Sequence, residues 1–164
     1  MLTPEGSNGK MSMSTFSQIY IHVVFAVKGR QSLIHRDWEE HVFRYITGII
    51  QNKEQKMIAI NGMPDHIHLL MGMKPSCCLS DLVREVKKSS NEFIRGNRYR
   101  TNFYWQEGFG AFSYSHSQLD NVIGYIVHQK EHHKKQNFKD EYLELLKRFD
   151  VKYEDRYLFE WTES

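Results

Sequence analysis

Hydrophobic and polar positions alternate along the chain in a way that predicts four strands and four helices. Runs rich in β-branched and aromatic residues predict the strands, which are residues 19–27, 57–60, 65–73 and 111–115. Apolar residues that recur every three or four positions predict the helices, which are residues 38–51, 79–95, 117–133 and 140–148.

Turn and cap residues indicate how these elements are joined. Asn61-Gly62-Met63-Pro64 is typical of a tight turn, so the second and third strands are expected to form a hairpin. Ser117 and Asp120 have the Ser-x-x-Asp form of an N-terminal cap, which predicts that the third helix begins there.

The order of the elements predicts the fold class. Strand, helix, strand, strand, helix, strand, helix, helix is the pattern of an α+β, ferredoxin-like (RRM-like) antiparallel sheet with helices on one face, followed by C-terminal helices. We expect the other face of the sheet to be free for function. Residues 13–164 are expected to form a single domain, and residues 1–12, which are polar, to form a flexible N-terminal extension.

Composition limits the classes of protein to which the chain can belong. The 164 residues include 40% hydrophobic ones, enough for a real core, while a formal net charge of +2 does not by itself indicate nucleic acid. Cys77 and Cys78 are adjacent and lack the spacing of a zinc knuckle, so a reducing, cytoplasmic setting is expected. The apolar run 19–27 contains His22 and is too short to span a bilayer, so we expect no membrane association.

Two short stretches carry candidate chemistry. His66 and His68 lie two positions apart on a strand, so both side chains point to one face, where two imidazoles can hold a metal. Asp65 would point to the opposite face and is not counted as a ligand. Tyr125 and Gln129 lie four positions apart on a helix and could supply a nucleophile and a third ligand. Hydrogen-bonded sheet histidines and an interface tyrosine are the alternatives for these residues taken singly.

A second set of residues could contact a phosphate backbone or an unpaired base. A solvated helix face and core aromatics are the alternatives for this set. The candidates are Arg84, Lys88, Arg95, Arg98, Arg100 and Phe109.

The two stretches together resemble a known family. Asp65–Leu70 matches a His-hydrophobe-His motif, and Tyr125–Gln129 matches a later Tyr-x-x-x-Gln signature. Gly108–Ser113, Glu131–His133 and Tyr153–Leu158 agree with the same pattern. The chain resembles the HUH superfamily, and within it the single-tyrosine transposases of small bacterial insertion sequences, which are the IS200-like and REP-associated tyrosine transposase class.

The resemblance implies a reaction, a cofactor and partners. Tyr125 would attack a phosphodiester of single-stranded DNA, leaving a 5′-phosphotyrosine and a free 3′-hydroxyl. His66, His68 and Gln129 would bind a divalent metal, Mg²⁺ or Mn²⁺, and this donor set suits Mn²⁺ better. The DNA would be a hairpin-forming element end, and the protein would be a homodimer in which one subunit's tyrosine helix can complete the other's site.

Two other functions compete with this interpretation. A zinc hydrolase could use His66 and His68 with a third histidine, which would be His128, His132 or His133, and water as the nucleophile. A non-enzymatic single-stranded nucleic-acid-binding module, for example a domesticated transposase, would need neither a metal nor Tyr125.

Overall fold

The sheet confirms the predicted α+β, ferredoxin-like fold. The computed structural model describes residues 15–29 and 32–161, so the predicted extension of residues 1–12 lies outside the described residues. Neighbouring strands are antiparallel, in the order β2-β3-β1-β4. The strands are β1 (Tyr20–Ala26), β2 (Lys56–Met63), β3 (His66–Gly72) and β4 (Gly110–Tyr114).

Five α-helices accompany the sheet in the described part of the chain. They are α1 (Glu39–Asn52), α2 (Leu79–Gly96), α3 (Leu119–Val127), α4 (Gln129–His132) and α5 (Phe138–Arg148). In residues 15–29 and 32–161, no helix has both the length and the apolar character needed to cross a bilayer.

Side chains of the central strands alternate between two hydrophobic clusters. Val23, Phe25, Ile67 and Leu69 point to one face, where α1 and α2 cover them. Val24 points to the other face, where α5 and the C-terminal segment cover it. Because this second face is covered, the expectation of a sheet face left free for function was wrong.

The covering of the second face follows from the amphipathic C-terminal helices. The apolar side chains of α3 need a partner, and they pack on Leu70 of β3. Tyr142 and Leu145 of α5 pack with Phe112 of β4, and Phe159 of the tail joins the same cluster.

The hairpin that carries the histidines turns later than the sequence predicts. Asn61 and Gly62 belong to β2, and the turn consists of Pro64 and Asp65. The Asn61 side chain is used elsewhere, because its Nδ2 donates to the carbonyl oxygens of Ile126 and Val127, 3.1 and 3.0 Å away.

The start of α3 also differs from the prediction. A 3-10 turn, His116–Gln118, precedes the helix. Ser115 and Gln118 form a reciprocal capping box around this turn, so Ser117 is not the cap.

Gly62 allows a close approach of β2 to β3. A Cβ atom at Gly62 would collide with the carbonyl oxygen of His66 and lie 3.2 Å from Ile67 Cα. We therefore expect Gly62→Ala to lower the free energy of unfolding by roughly 1–3 kcal/mol, measured by urea denaturation.

Gly48→Ala is the matched control for Gly62→Ala. Gly48 lies in α1, where an added Cβ meets nothing within 4 Å. This variant should gain up to about 1 kcal/mol, because alanine is the better helix former. Equal unfolding midpoints for the two variants would contradict the close approach at Gly62.

Candidate active site

His66 and His68 lie side by side on β3, on the face that α5 covers. Both side chains are fully buried, and their ring centroids are 5.0 Å apart. Strand alternation puts them on one face, as the spacing predicts.

Each of these histidines is held at its Nδ1 atom by a neighbour. His66 Nδ1 lies 2.6 Å from Asp65 Oδ1, and His68 Nδ1 lies 2.8 Å from Nε2 of the buried His22. The two Nε2 atoms both face Oε1 of Glu141. Metal-binding histidines are typically oriented in this way, with the second ring nitrogen bound to a carboxylate or another acceptor.

The predicted third helix is interrupted between the tyrosine and the glutamine. α3 ends at Val127, and α4 begins at Gln129 after one intervening residue. Asn61 accounts for part of this interruption, because its amide binds the last carbonyls of α3. The side chains of Tyr125 and Gln129 nevertheless meet, because both donate a hydrogen bond to the carboxylate of Glu141.

Glu141 of α5 is the common partner of the site. Its Oε1 lies 2.8 Å from His68 Nε2 and 3.3 Å from His66 Nε2. Its Oε2 accepts from Tyr125 Oη at 2.5 Å and from Gln129 Nε2 at 3.2 Å. His133 Nε2 lies 3.2 Å from the same oxygen. One carboxylate therefore joins β3, the tyrosine helix and α5.

Several of these residues were missed by sequence reasoning. His22 and Glu141 were not singled out as site residues, His133 was named only as one of three alternative ligands of a zinc hydrolase, and Asp65 was set aside because of its strand position. Of His22 and Glu141, only Glu141 gave a signal in the sequence. It falls on the inward stripe of α5, with Tyr142 and Leu145, where a carboxylate is out of place unless it has a partner.

The electrostatics of the site follow from burial and from this carboxylate. Burial opposes ionisation of Glu141, but contacts with His133, His66 and His68 hold its pKa well below the usual range. Burial and the Glu141 charge raise the pKa of Tyr125. In this state the tyrosine keeps its proton.

The three sheet histidines have different pKa shifts. Burial lowers the pKa of His22 and of His68. Burial also opposes protonation of His66, but the carboxylates of Asp65 and Glu141 outweigh it and raise its pKa to about 9.

The site has the donors of a metal centre. Ligand atoms of His66, His68, His133 and Glu141 all lie within 4.8 Å of one another. Four buried side-chain nitrogen or oxygen atoms in the described residues make no well-oriented hydrogen bond, and three of them lie here. These three are His66 Nε2, His133 Nε2 and Gln129 Oε1. A divalent cation would satisfy atoms of this kind.

A cavity of about 450 Å³ borders Tyr125. Apolar side chains make up much of its wall, and Asn121 and Arg148 add polar groups. Tyr114 and Phe149 also line it, with their rings in edge contact at 5.2 Å. The nucleophile candidate is therefore accessible from a cavity that carries one cationic side chain.

The predicted DNA-binding residues lie away from this site. Arg84, Lys88 and Arg95 belong to α2, which packs on the opposite face of the sheet. Arg84 pairs with Asp81 at 3.0 Å, and the Arg95 guanidinium lies 4.5 Å from the Tyr104 ring centroid.

The remaining three of these residues follow α2 in the chain. Arg98 and Arg100 are exposed, and Phe109 packs partly against the cluster under α1 and α2. A role of the six residues in DNA binding stays a prediction.

Comparisons with known proteins point to one family. Residues 15–129 match the family model described as "Transposase IS200 like". No protein of curated function matches the chain. Glu141 and His133 lie beyond the matched residues.

Two of the solved structures that are similar to the chain are described as transposases. One, from Deinococcus radiodurans R1, is provisionally described as a transposase; it is 19% identical, with a TM-score of 0.58, over 73% of this chain and 97% of its own. The other is described as a REP-associated tyrosine transposase bound to a REP hairpin; it is 17% identical, with a TM-score of 0.56, over 75% of this chain and 74% of its own.

The raised pKa of His66 makes stability of the metal-free protein depend on pH. The folded-state pKa of about 9 exceeds the ordinary value of 6.5, so protonation of His66 stabilises the fold. This contribution is complete below pH 6.5 and is lost as the pH rises through about 9. Asp65→Asn removes one of the two carboxylates and should lower the His66 pKa, measured by NMR titration of the ring. Asp37→Asn, which alters the exposed His35–Asp37 pair, should leave it unchanged.

Proposed function

The chain belongs to the IS200-like transposase family and is a DNA transposase, and we propose that it cuts and rejoins single DNA strands through Tyr125. One observation carries the proposal: the Tyr125 hydroxyl and the Nε2 atoms of His66 and His68 contact the same buried carboxylate, that of Glu141. A nucleophile beside a group of metal-type donors is the arrangement that phosphodiester transfer requires.

The reaction transfers one phosphodiester bond to the protein. Tyr125 Oη bonds to phosphorus, the bond from phosphorus to the 3′-oxygen breaks, and the leaving 3′-oxygen takes up a proton in place of the one that the tyrosine lost. The products are a 5′-phosphotyrosine and a free 3′-hydroxyl. Attack of a 3′-hydroxyl on the phosphotyrosine reverses these steps, and because the bond energy is conserved, no nucleotide cofactor is needed.

A divalent metal, Mg²⁺ or Mn²⁺, would be held by His66, His68 and Gln129. These residues fit such an ion, because both histidines have Nδ1 fixed by a neighbour and Gln129 Oε1 is buried without a hydrogen-bond partner. When bound, the metal supplies Lewis-acid polarisation of the scissile phosphate.

The DNA partner of the proposal is single-stranded, with hairpin-forming ends. A structurally similar protein is described as bound to a REP hairpin, and the cavity beside Tyr125 carries Arg148, which suits a phosphate. We propose that the strand reaches Tyr125 through this cavity.

We propose that the protein is a homodimer and acts in the cytoplasm. The resemblance implies a homodimer, and sedimentation velocity measures that state directly. We place the reaction in the cytoplasm, since the substrate is DNA and both cysteines are free.

A zinc hydrolase remains the second candidate because His133 joins the cluster. Three histidines and a glutamate are a common zinc donor set. Such an enzyme would activate water and would need no tyrosine, so the two candidates differ in whether Tyr125 becomes bonded to the substrate.

Covalent capture of DNA tests the proposed nucleophile. A labelled single-stranded hairpin oligonucleotide from the flanks of the protein's own gene, incubated with Mn²⁺ or Mg²⁺, should give a protein–DNA adduct on a denaturing gel. Tyr125→Phe should abolish the adduct because it lacks the attacking oxygen. Tyr157→Phe, at an exposed tyrosine, is the control and should react like the wild type.

Other outcomes of the capture experiment separate the candidates. An adduct that persists in Tyr125→Phe would show that another residue is the nucleophile. Cleavage without an adduct would favour the hydrolase, and binding without cleavage would favour a non-enzymatic module.

Substitution of Arg148 tests whether the DNA strand reaches Tyr125 through the cavity beside it. Arg148→Gln should slow adduct formation roughly tenfold, because a charge-assisted hydrogen bond to phosphate is lost. Lys147→Gln removes the same charge one residue away, outside the cavity beside Tyr125, and should have little effect. Equal rates for the two variants would exclude Arg148 from the route.

A further inference from the structure

We propose that Glu141 is a metal ligand through one carboxylate oxygen and holds Tyr125 beside the metal through the other. The ligand role concerns metal binding alone, whereas the tyrosine role rests on the proposed function. Glu141 lies in α5, beyond the residues that match the transposase family model.

The two carboxylate oxygens of Glu141 face different groups. Oε1 faces the two sheet histidines, with His68 Nε2 at 2.8 Å and His66 Nε2 at 3.3 Å. Oε2 faces the tyrosine side, where it accepts from Tyr125 Oη and Gln129 Nε2. A single carboxylate can therefore coordinate an ion between the histidines while it keeps its hydrogen bond to the nucleophile.

The charge of Glu141 lacks a permanent cation. The side chain is buried, and among the described residues its ion-pair contacts are with histidines and not with a lysine or an arginine. Burial of an ionised carboxylate is costly unless the charge is compensated. A divalent cation between Glu141, His66 and His68 would compensate this charge in place of a protonated histidine.

The chemistry of the donors agrees with this role. Mg²⁺ and Mn²⁺ prefer oxygen ligands, carboxylates above all. In the ligand set of His66, His68 and Gln129, the one oxygen donor is a neutral amide oxygen, and the other two donors are imidazole nitrogens. Glu141 adds the charged oxygen that this set lacks, and its ligand atom lies within 4.8 Å of those of His66, His68 and His133.

Packing fixes the position of the carboxylate. Tyr142 and Leu145, on the same side of α5, are buried in the cluster that includes Val24 and Phe112 of the sheet. Because the helix is anchored in this way, Glu141 can act as a rigid link between Tyr125 and the histidines of the same chain.

Metal titration without DNA tests the ligand role. Metal-stripped full-length protein is titrated with Mn²⁺, and the free ion is followed by electron paramagnetic resonance. Glu141→Gln should weaken Mn²⁺ binding at least tenfold. Glu144→Gln, an exposed position of the same helix, should bind within twofold of the wild type. Wild-type affinity in Glu141→Gln, or a wild type that binds no Mn²⁺, overturns the ligand role.

Glu141→Asp tests the tyrosine role and serves if Glu141→Gln does not fold. Aspartate keeps the charge but is shorter by one methylene, so Mn²⁺ binding should recover to within tenfold of the wild type. Adduct formation at saturating Mn²⁺ should remain at least tenfold slower, because the contact with Tyr125 is lost. A wild-type adduct rate in this variant overturns the tyrosine role, and Mn²⁺ affinity lowered more than tenfold in both Glu141→Asp and Glu144→Gln overturns the ligand role.

The two proposals can fail separately. If the wild type binds Mn²⁺ and Glu141→Gln does not, but no cognate hairpin gives an adduct, the ligand role stands and the proposed function fails. If the wild type forms the adduct and Glu141→Gln binds Mn²⁺ normally, the function stands and the ligand role fails.

Discussion

The buried carboxylate of Glu141 is the interaction on which the organisation of the site depends. It contacts His68 of the sheet, Tyr125 of α3 and Gln129 of α4 together. A buried charge is stabilising only with well-placed partners, so the three elements have to be positioned together. The geometry of the candidate active site therefore depends on how the C-terminal helix packs on the sheet.

Sequence periodicity was sufficient for the parts of the molecule that depend on local geometry. The period of two placed His66 and His68 on one face, and the element order gave the antiparallel sheet. Periodicity does not predict contacts between segments that are far apart in the sequence. Asn61 looked like a turn residue because Asn-Gly favours turns, yet it binds the end of α3, 65 residues later. Glu141 acquires its role only because α5 folds back over β3, which no local pattern encodes.

The division of the sheet into two faces separates stability from chemistry. The face under α1 and α2 is lined by apolar residues of β1 and β3, such as Phe25 and Ile67. The other face mixes apolar residues with His22, His66 and His68, which are buried as well. Burial excludes water and strengthens electrostatic interactions around Tyr125. A DNA strand that uses the cavity beside Tyr125 would approach from the side of the tyrosine.

This geometry constrains how a DNA strand could contact both the basic residues of α2 and Tyr125. The basic residues of α2 lie on one side of the sheet, and Tyr125 lies on the other. A strand that contacts both has to pass around an edge of the sheet. β4 is an edge strand, and its Tyr114 lines the cavity with Arg148. A strand that passes β4 would meet the cavity that borders Tyr125, whereas one that passes β2 would meet the backs of α3 and α4, which pack on β2. If the residues of α2 bind DNA, the edge at β4 is therefore the shorter route.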